Sequence, residues 1–190
     1  MRTVPRWTLL SATCAPVLLI GGWQLAAARQ AGGFDPVSQT ISELAARGAT
    51  DRWIMTTALA GVGVCHAITA VGLRSAAVPG RLLLATGGIA TVLLAAFPQP
   101  VTGDSTAHVA AATIVFPALS LWPALAARRA TTPRPAVWLV AASGLFGMLG
   151  WFGLEILGDG PRVGLSERVL AGAQALWPLA AVLLAWRRPG

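Results

Sequence analysis

The chain has no lysine and no tyrosine, and of its 190 residues only seven are acidic and two are histidine. With 11% charged residues against 55% hydrophobic ones, it is not composed like an ordinary water-soluble domain, where charged side chains make up about a quarter. The two cysteines, Cys14 and Cys65, form no Cys-x-x-Cys pair and sit inside apolar runs. They read as small apolar residues rather than as redox or metal groups. A Gly-rich phosphate loop, a nucleophile elbow and a metal-ligand cluster are all missing, so no cofactor and no metal are expected. The two histidines, His66 and His108, differ in depth by roughly 16 Å of helical rise, which keeps them from sharing one haem iron. His66 alone reads as a core histidine.

What the chain does have is apolar blocks. Runs of about 17 to 25 residues match the roughly 30 Å hydrocarbon core that a helix crosses at about 1.5 Å per residue. Six such blocks cover 7–28, 52–74, 81–98, 105–127, 136–157 and 166–186. The expected fold is therefore all-α: a polytopic transmembrane bundle of six helices, forming one integral membrane domain over 1–190. The first block continues from Trp7 to Ala28, longer than the roughly 7–15-residue core of a secretory signal, and reads as a retained helix. The third is the shortest, set between Pro79-Gly80 and Pro98-Gln99-Pro100. Its length suits either a short tilted span or a re-entrant segment.

Charge placement arbitrates. All fourteen basic residues are arginines, and with six crossings nine of them fall on one face: Arg2, Arg6, Arg74, Arg81, Arg128, Arg129, Arg134, Arg187 and Arg188. The other face receives five arginines and all seven acidic residues. Removing one span would scramble this sorting, so the third block counts as a crossing. Cytoplasmic loops carry the arginine excess, which predicts a multi-pass protein of the plasma membrane with both termini cytoplasmic. The net charge of +7 then reflects topology and attraction to anionic lipid, with no nucleic-acid partner expected.

Glycines recur within the spans: Gly61 and Gly63, Gly87 and Gly88, and a row of Gly144, Gly147, Gly150 and Gly153. Such residues let helix backbones approach closely, so close packing is expected at each. Leu121-Trp122-Pro123 and Leu176-Trp177-Pro178, each followed by an arginine pair, read as aromatic anchors near the cytoplasmic interface.

The most polar stretch, FDPVSQTISELAARGATDRW over 34–53, joins the first two spans. Asp35-Pro36 is a helix start and Gly48 a stop. Between them Val37, Ile41, Leu44 and Ala45 alternate with Ser38, Gln39, Ser42 and Glu43 at helical spacing. The pattern predicts a short amphipathic helix over about 36–47, lying in the outer interface. Its polar face carries hydroxyls, an amide and one carboxylate, groups suited either to specific hydrogen bonding or to plain capping.

By topology the outer end gathers Gln24, Asp35, Ser38, Gln39, Ser42, Glu43, Asp104, His108, Glu155, Arg168 and Gln174, while the inner half offers little that compares. Two functions fit. The first is a binding protein that takes a lipid-like or amphiphilic ligand, or a membrane protein partner, at this polar extracytoplasmic mouth, through Asp35, Ser38, Gln39, Ser42, Asp104, Arg168 and Gln174. The second is a membrane-embedded enzyme in which Glu43, His108 and Glu155 perform acid–base chemistry on an isoprenoid or lipid while Arg168 holds an anionic group. A structural hydrogen-bond network at the bundle mouth accounts for the same residues. Transport would need a continuous polar route, which the apolar inner half disfavours.

The run Pro36-Val37-Ser38-Gln39-Thr40-Ile41-Ser42-Glu43-Leu44, with Arg52-Trp53, Gly72-Leu73, Arg81-Leu82-Leu83, Phe97-Pro98, His108 and Gly164-Leu165-Ser166-Glu167-Arg168, resembles the domain of unknown function 998 family of integral membrane proteins. The resemblance covers nearly the whole chain. It implies a membrane-embedded helical architecture and no particular activity.

Overall fold

The computed structural model describes residues 4–103, 105–127 and 135–186. Six helices account for most of them: α1 (Arg6–Ala28), α2 (Trp53–Gly72), α3 (Val78–Ala96), α4 (Thr106–Ala126), α5 (Pro135–Leu157) and α6 (Val163–Trp186). All six are long and apolar enough to cross a membrane. The molecule is a multi-pass, all-helical membrane protein with no strand among the described residues. The helix ends fall within a few residues of the apolar blocks. The largest shifts are at the starts of α3 and α6; α3 starts before Pro79 because proline is tolerated in the first turn, where its missing N–H has no partner to lose.

The helices form a ring. Each packs on its sequence neighbours, and α6 closes the circle against α1. Connections α1–α2, α3–α4 and α5–α6 lie at one end, here termed the polar end. Close approaches between helices rest on glycine where expected for the first four. A methyl group at Gly88 would stand 2.6 Å from the Gly63 carbonyl oxygen and 3.0 Å from the Ala67 nitrogen, so α2 and α3 meet backbone to backbone. Gly22 faces Ala58 across α1–α2, and Gly87 faces Leu119 across α3–α4.

In α5 the expectation of close packing fails. Gly144, Gly147, Gly150 and Gly153 have nothing within 4 Å of where a Cβ would sit. This helix packs on α4 and α6 through few side chains and buries only Trp138, Ala142, Leu145 and Phe152. The tryptophan anchors are also placed differently. Trp122 is fully buried and meets Trp138 edge-on at 5.7 Å, and Trp138 meets Trp177 at 5.8 Å. These rings tie α4, α5 and α6 together because T-shaped aromatic pairs pack well in an interior. Nor is the half away from the polar end purely apolar. Thr8, Ser11 and Thr69 are buried there, with the Ser11 and Thr69 hydroxyls 2.9 Å apart.

The amphipathic helix expected over 36–47 contracts to a single 3-10 turn, Ser42–Ala45. Two caps in succession explain the shortening. Asp35 accepts from the Val37 N–H (3.0 Å) and the Ser38 hydroxyl (2.5 Å), while the Gln39 side chain reaches back to the Asp35 N–H (2.9 Å). One turn later Thr40 begins a capping box: its hydroxyl accepts from the Glu43 N–H (3.2 Å), and Glu43 accepts from the Thr40 N–H (2.9 Å). Each cap starts a new turn, so the chain changes direction at Thr40 instead of running on as one helix.

Candidate functional site

The segment 36–41 is sewn to the first turns of α6. The Leu165 N–H, which has no partner within its own helix, donates to the Val37 carbonyl (2.9 Å). Arg168 directs one guanidinium nitrogen, Nη1, at three carbonyl oxygens: Gln39 (2.6 Å), Gly164 (2.9 Å) and Pro36 (3.0 Å). Its guanidinium lies over the Phe34 ring at 5.2 Å. A side chain at Gly164 would collide with the Gln39 carbonyl, so glycine is required for this approach. Arg168 is thus a clamp on backbone, with its Nη2 enclosed and unpartnered.

Below the clamp lies a buried polar cluster. Glu167, 4% exposed, accepts the Ile41 N–H through Oε2 at 2.5 Å and also interacts with the Ser42 hydroxyl. Ser42 Oγ stands 3.2 Å from His108 Nε2, and His108 Nδ1 stands 3.0 Å from the Phe97 carbonyl oxygen. His108, 5% exposed, enters through the first turn of α4, where the Ser105 hydroxyl caps its N–H (3.3 Å).

The tautomer follows from donors and acceptors. A carbonyl only accepts, so Nδ1 carries a proton. Two arrangements then satisfy Glu167, Ser42 and His108 together. A protonated Glu167 can donate to Ser42, which donates to a neutral His108. Alternatively a cationic His108 donates to Ser42, which donates to a Glu167 carboxylate. The two differ by moving protons along the chain and leave total charge unchanged.

The turn 41–44 separates two spaces. On one side Gln39, Glu43 and Leu44 line an open groove of about 450 Å3 together with residues 30–34, 46, 48–50, 99–101 and 103. On the other, Ile41, Ser42 and Glu167 line a cavity of about 50 Å3 inside the ring, bounded further in by Thr91, Gln174 and His66. Loop backbones are pinned around the groove: Gln30 pairs with Thr50 through both ends of its amide, and the Arg47 N–H donates to the Gln99 carbonyl (3.0 Å).

The expected site residues therefore divide. Gln39 and Glu43 face the groove, joined by a 3.3 Å bond. Ser42 and His108 belong to the cluster beneath. Asp35 and Ser38 stay on the exposed first turn, bonded to each other. Gln174 is not at the mouth. It follows Val163 by eleven residues, roughly 16 Å of rise, and its Nε2 joins α6 to α4 through the Phe116 carbonyl (2.8 Å) and the Ser120 hydroxyl (3.0 Å). Glu155 stays within the α5–α6 turn, accepting from Trp151 Nε1 (3.1 Å) and the Arg162 N–H (2.9 Å). Asp104 lies outside the described residues. Glu167, quoted in sequence only within the run 164–168, was not singled out as a site residue, because the Ile41 N–H that it accepts lies on a distant segment. The described residues include no group of three or more His, Cys, Asp or Glu that could hold a metal ion.

Among groups outside the spans, Asp35 titrates distinctively. The Ser38 hydroxyl, and after it the Val37 N–H, hold its carboxyl below the usual carboxylate range. A lowered folded-state pKa adds stability above the unfolded value, and that contribution fades as pH falls through the lowered one. Amide exchange at Val37, corrected for intrinsic rate, should lose protection on acidification through that window. Asp35→Asn should remove this acid-side step. An unchanged profile in the variant would exclude Asp35 as its source.

No curated protein and no solved structure matches the chain. The family described as a protein of unknown function, DUF998, matches residues 13–184, and the chain, an integral membrane protein of six apolar helices, belongs to that family.

Proposed function

We propose that the protein binds an amphiphilic molecule whose headgroup carries hydrogen-bond donors, seated in the groove at the polar end, and that this end is extracytoplasmic in the plasma membrane. The observation that carries the reading is the groove itself. Its volume of about 450 Å3 lies within the roughly 300–1,000 Å3 of small-molecule sites. Amide and hydroxyl groups of Gln30, Gln39, Thr50 and Gln99 line it beside the apolar Phe34 and Val101, a mixture that suits a molecule with one polar and one apolar part.

Glu43 is the anchor in this reading. Its Oε1 receives the Thr40 N–H and hydroxyl, while Oε2 receives only the long Gln39 bond, so acceptor capacity remains for a ligand hydroxyl or amine. The orientation rests on the arginine sorting.

Protein extracted with its surrounding lipid should retain a defined amphiphile, identified by mass spectrometry. Glu43→Gln should reduce retention by about tenfold, the loss of one charge-assisted hydrogen bond. Glu155→Gln should leave it unchanged. Equal inventories from native protein and Glu43→Gln would refute a groove ligand held by this carboxylate. Thr50→Cys, in a chain with Cys14 and Cys65 replaced, should react from outside intact cells with a reagent that cannot cross membranes.

A further inference from the structure

The cavity inside the ring is walled mainly by apolar side chains, among which a few polar groups do not satisfy one another. Gln174 turns its nitrogen to the Phe116 carbonyl, an acceptor, which fixes the opposite amide end as oxygen; no described protein donor reaches that oxygen. Thr91 donates its hydroxyl proton to the Gly87 carbonyl (2.8 Å), leaving only lone pairs for the cavity. Glu167 adds a carboxyl at the polar end. His66, 1% exposed and at the inner limit, has an enclosed Nδ1 with no hydrogen-bond partner.

An unpaired buried polar group is costly, and the usual remedy is ordered water. One water needs roughly 10–15 Å3 of such space, so a cavity of about 50 Å3 holds a few waters and is too small for a lipid chain. Water also has the missing chemistry, since each molecule donates twice and the few polar groups here, the Gln174 oxygen and the Thr91 hydroxyl, are left as acceptors. Gln174, Thr91, Glu167 and His66 supply the polar partners that an apolar void lacks.

We infer that this cavity is a hydrated proton-exchange site, in which a short file of waters held by Gln174 and Thr91 carries a proton between Glu167 under the polar-end turn and His66 near mid-membrane. His66 follows Trp53 by thirteen residues, roughly 20 Å of rise from that end. The transfer balances: Glu167 releases a proton to water, water passes one to the imidazole, and a neutral pair becomes a carboxylate and an imidazolium. A second proton reaches Glu167 only after His108 has taken one from solvent at the polar end: the imidazolium gives its Nε2 proton to the Ser42 oxygen along the 3.2 Å contact, and Ser42 passes its own hydroxyl proton to Glu167. The charged neighbours of Glu167 are Arg168 on its own helix and Glu43 on the turn. Among the residues lining the cavity from α1, α3, α4 and α6, Glu167 is the ionisable one facing His66. This site is separate from the groove and stands whether or not the groove holds a ligand.

The chain's two histidines make the test direct. Protein carrying 15N-histidine is reconstituted in lipid bilayers, and solid-state NMR follows magnetisation passing from water to each imidazole, assigned with His66→Gln and His108→Gln. The His66 ring should receive water magnetisation at a rate comparable to His108. Thr91→Val should slow transfer to His66 by about tenfold, through loss of a water-holding hydroxyl, without altering His108. Glu167→Gln should leave His66 hydrated yet slow exchange of its ring proton with solvent several-fold. A native His66 ring that receives no water magnetisation while His108 does overturns the proposal. So does unchanged proton exchange in Glu167→Gln. Native hydration and exchange are read without any variant, so a variant that fails to fold does not rescue the idea.

Discussion

Gly88→Val should prevent stable assembly of the helix ring, whereas Gly147→Ala should leave it intact. The added branch at Gly88 meets the Gly63 carbonyl and the Ala67 nitrogen, both backbone atoms, and neither can rotate away as a side chain would. Forcing volume into a tight contact costs about 1–3 kcal/mol even where side chains can adjust. Here two helices must separate, which also loosens the wall of the inner cavity. At Gly147 the same operation enters open space, and alanine is the better helix former by about 1 kcal/mol. Thermal unfolding of the two variants in detergent is the measurement. Equal unfolding temperatures would mean that α2 and α3 do not meet at glycine as described.

The second large effect is expected at Arg168. Replacing it by alanine removes the donor shared by the Pro36, Gln39 and Gly164 carbonyls, together with the contact over Phe34. A hydrogen bond to a charged group is worth roughly 1.5–3 kcal/mol, and the three share one nitrogen, so a loss of about 3 kcal/mol is expected. Segment 36–41 should detach from α6 before the bundle melts. Amide exchange at Ile41 and Leu165, which donate to Glu167 and to Val37, should rise while α2 and α3 stay protected. Arg168→Lys should not restore the native pattern, because a compact ammonium does not reproduce the planar guanidinium that both stacks on Phe34 and bonds the carbonyls. Native protection at both amides in Arg168→Ala would show that the segment holds itself in place.

The six spans were legible because hydrocarbon imposes a composition on every residue of a crossing helix, independent of what that helix touches. Neighbour relations are not encoded so directly. The glycines of α5 and those of α2 and α3 look alike in sequence, yet only the latter meet a neighbouring helix, Gly63 and Gly88 backbone to backbone and Gly61 and Gly87 against leucine side chains. The helix expected over 36–47 followed from a correct apolar spacing, but Thr40-x-x-Glu43 restarts the chain in mid-segment, and caps override periodicity locally. Gln39, Ser42, Glu43 and His108 were readable as polar groups near one end. Their division between groove and cavity was not, since opposite sides of a single turn share one stretch of sequence. Glu167 was hidden for a related reason: its burial depends on a loop 126 residues earlier laying the Ile41 N–H against it.

That partition has a mechanical consequence. Glu43 and Ser42 are consecutive residues on a turn closed by its own capping box, so they cannot shift independently. Any tug on the carboxylate from the groove displaces the hydroxyl on the far side by a similar distance, and the 3.2 Å gap to the imidazole is short enough for such a displacement to open or close it. One peptide step thus joins the wall of the groove to the wall of the cavity.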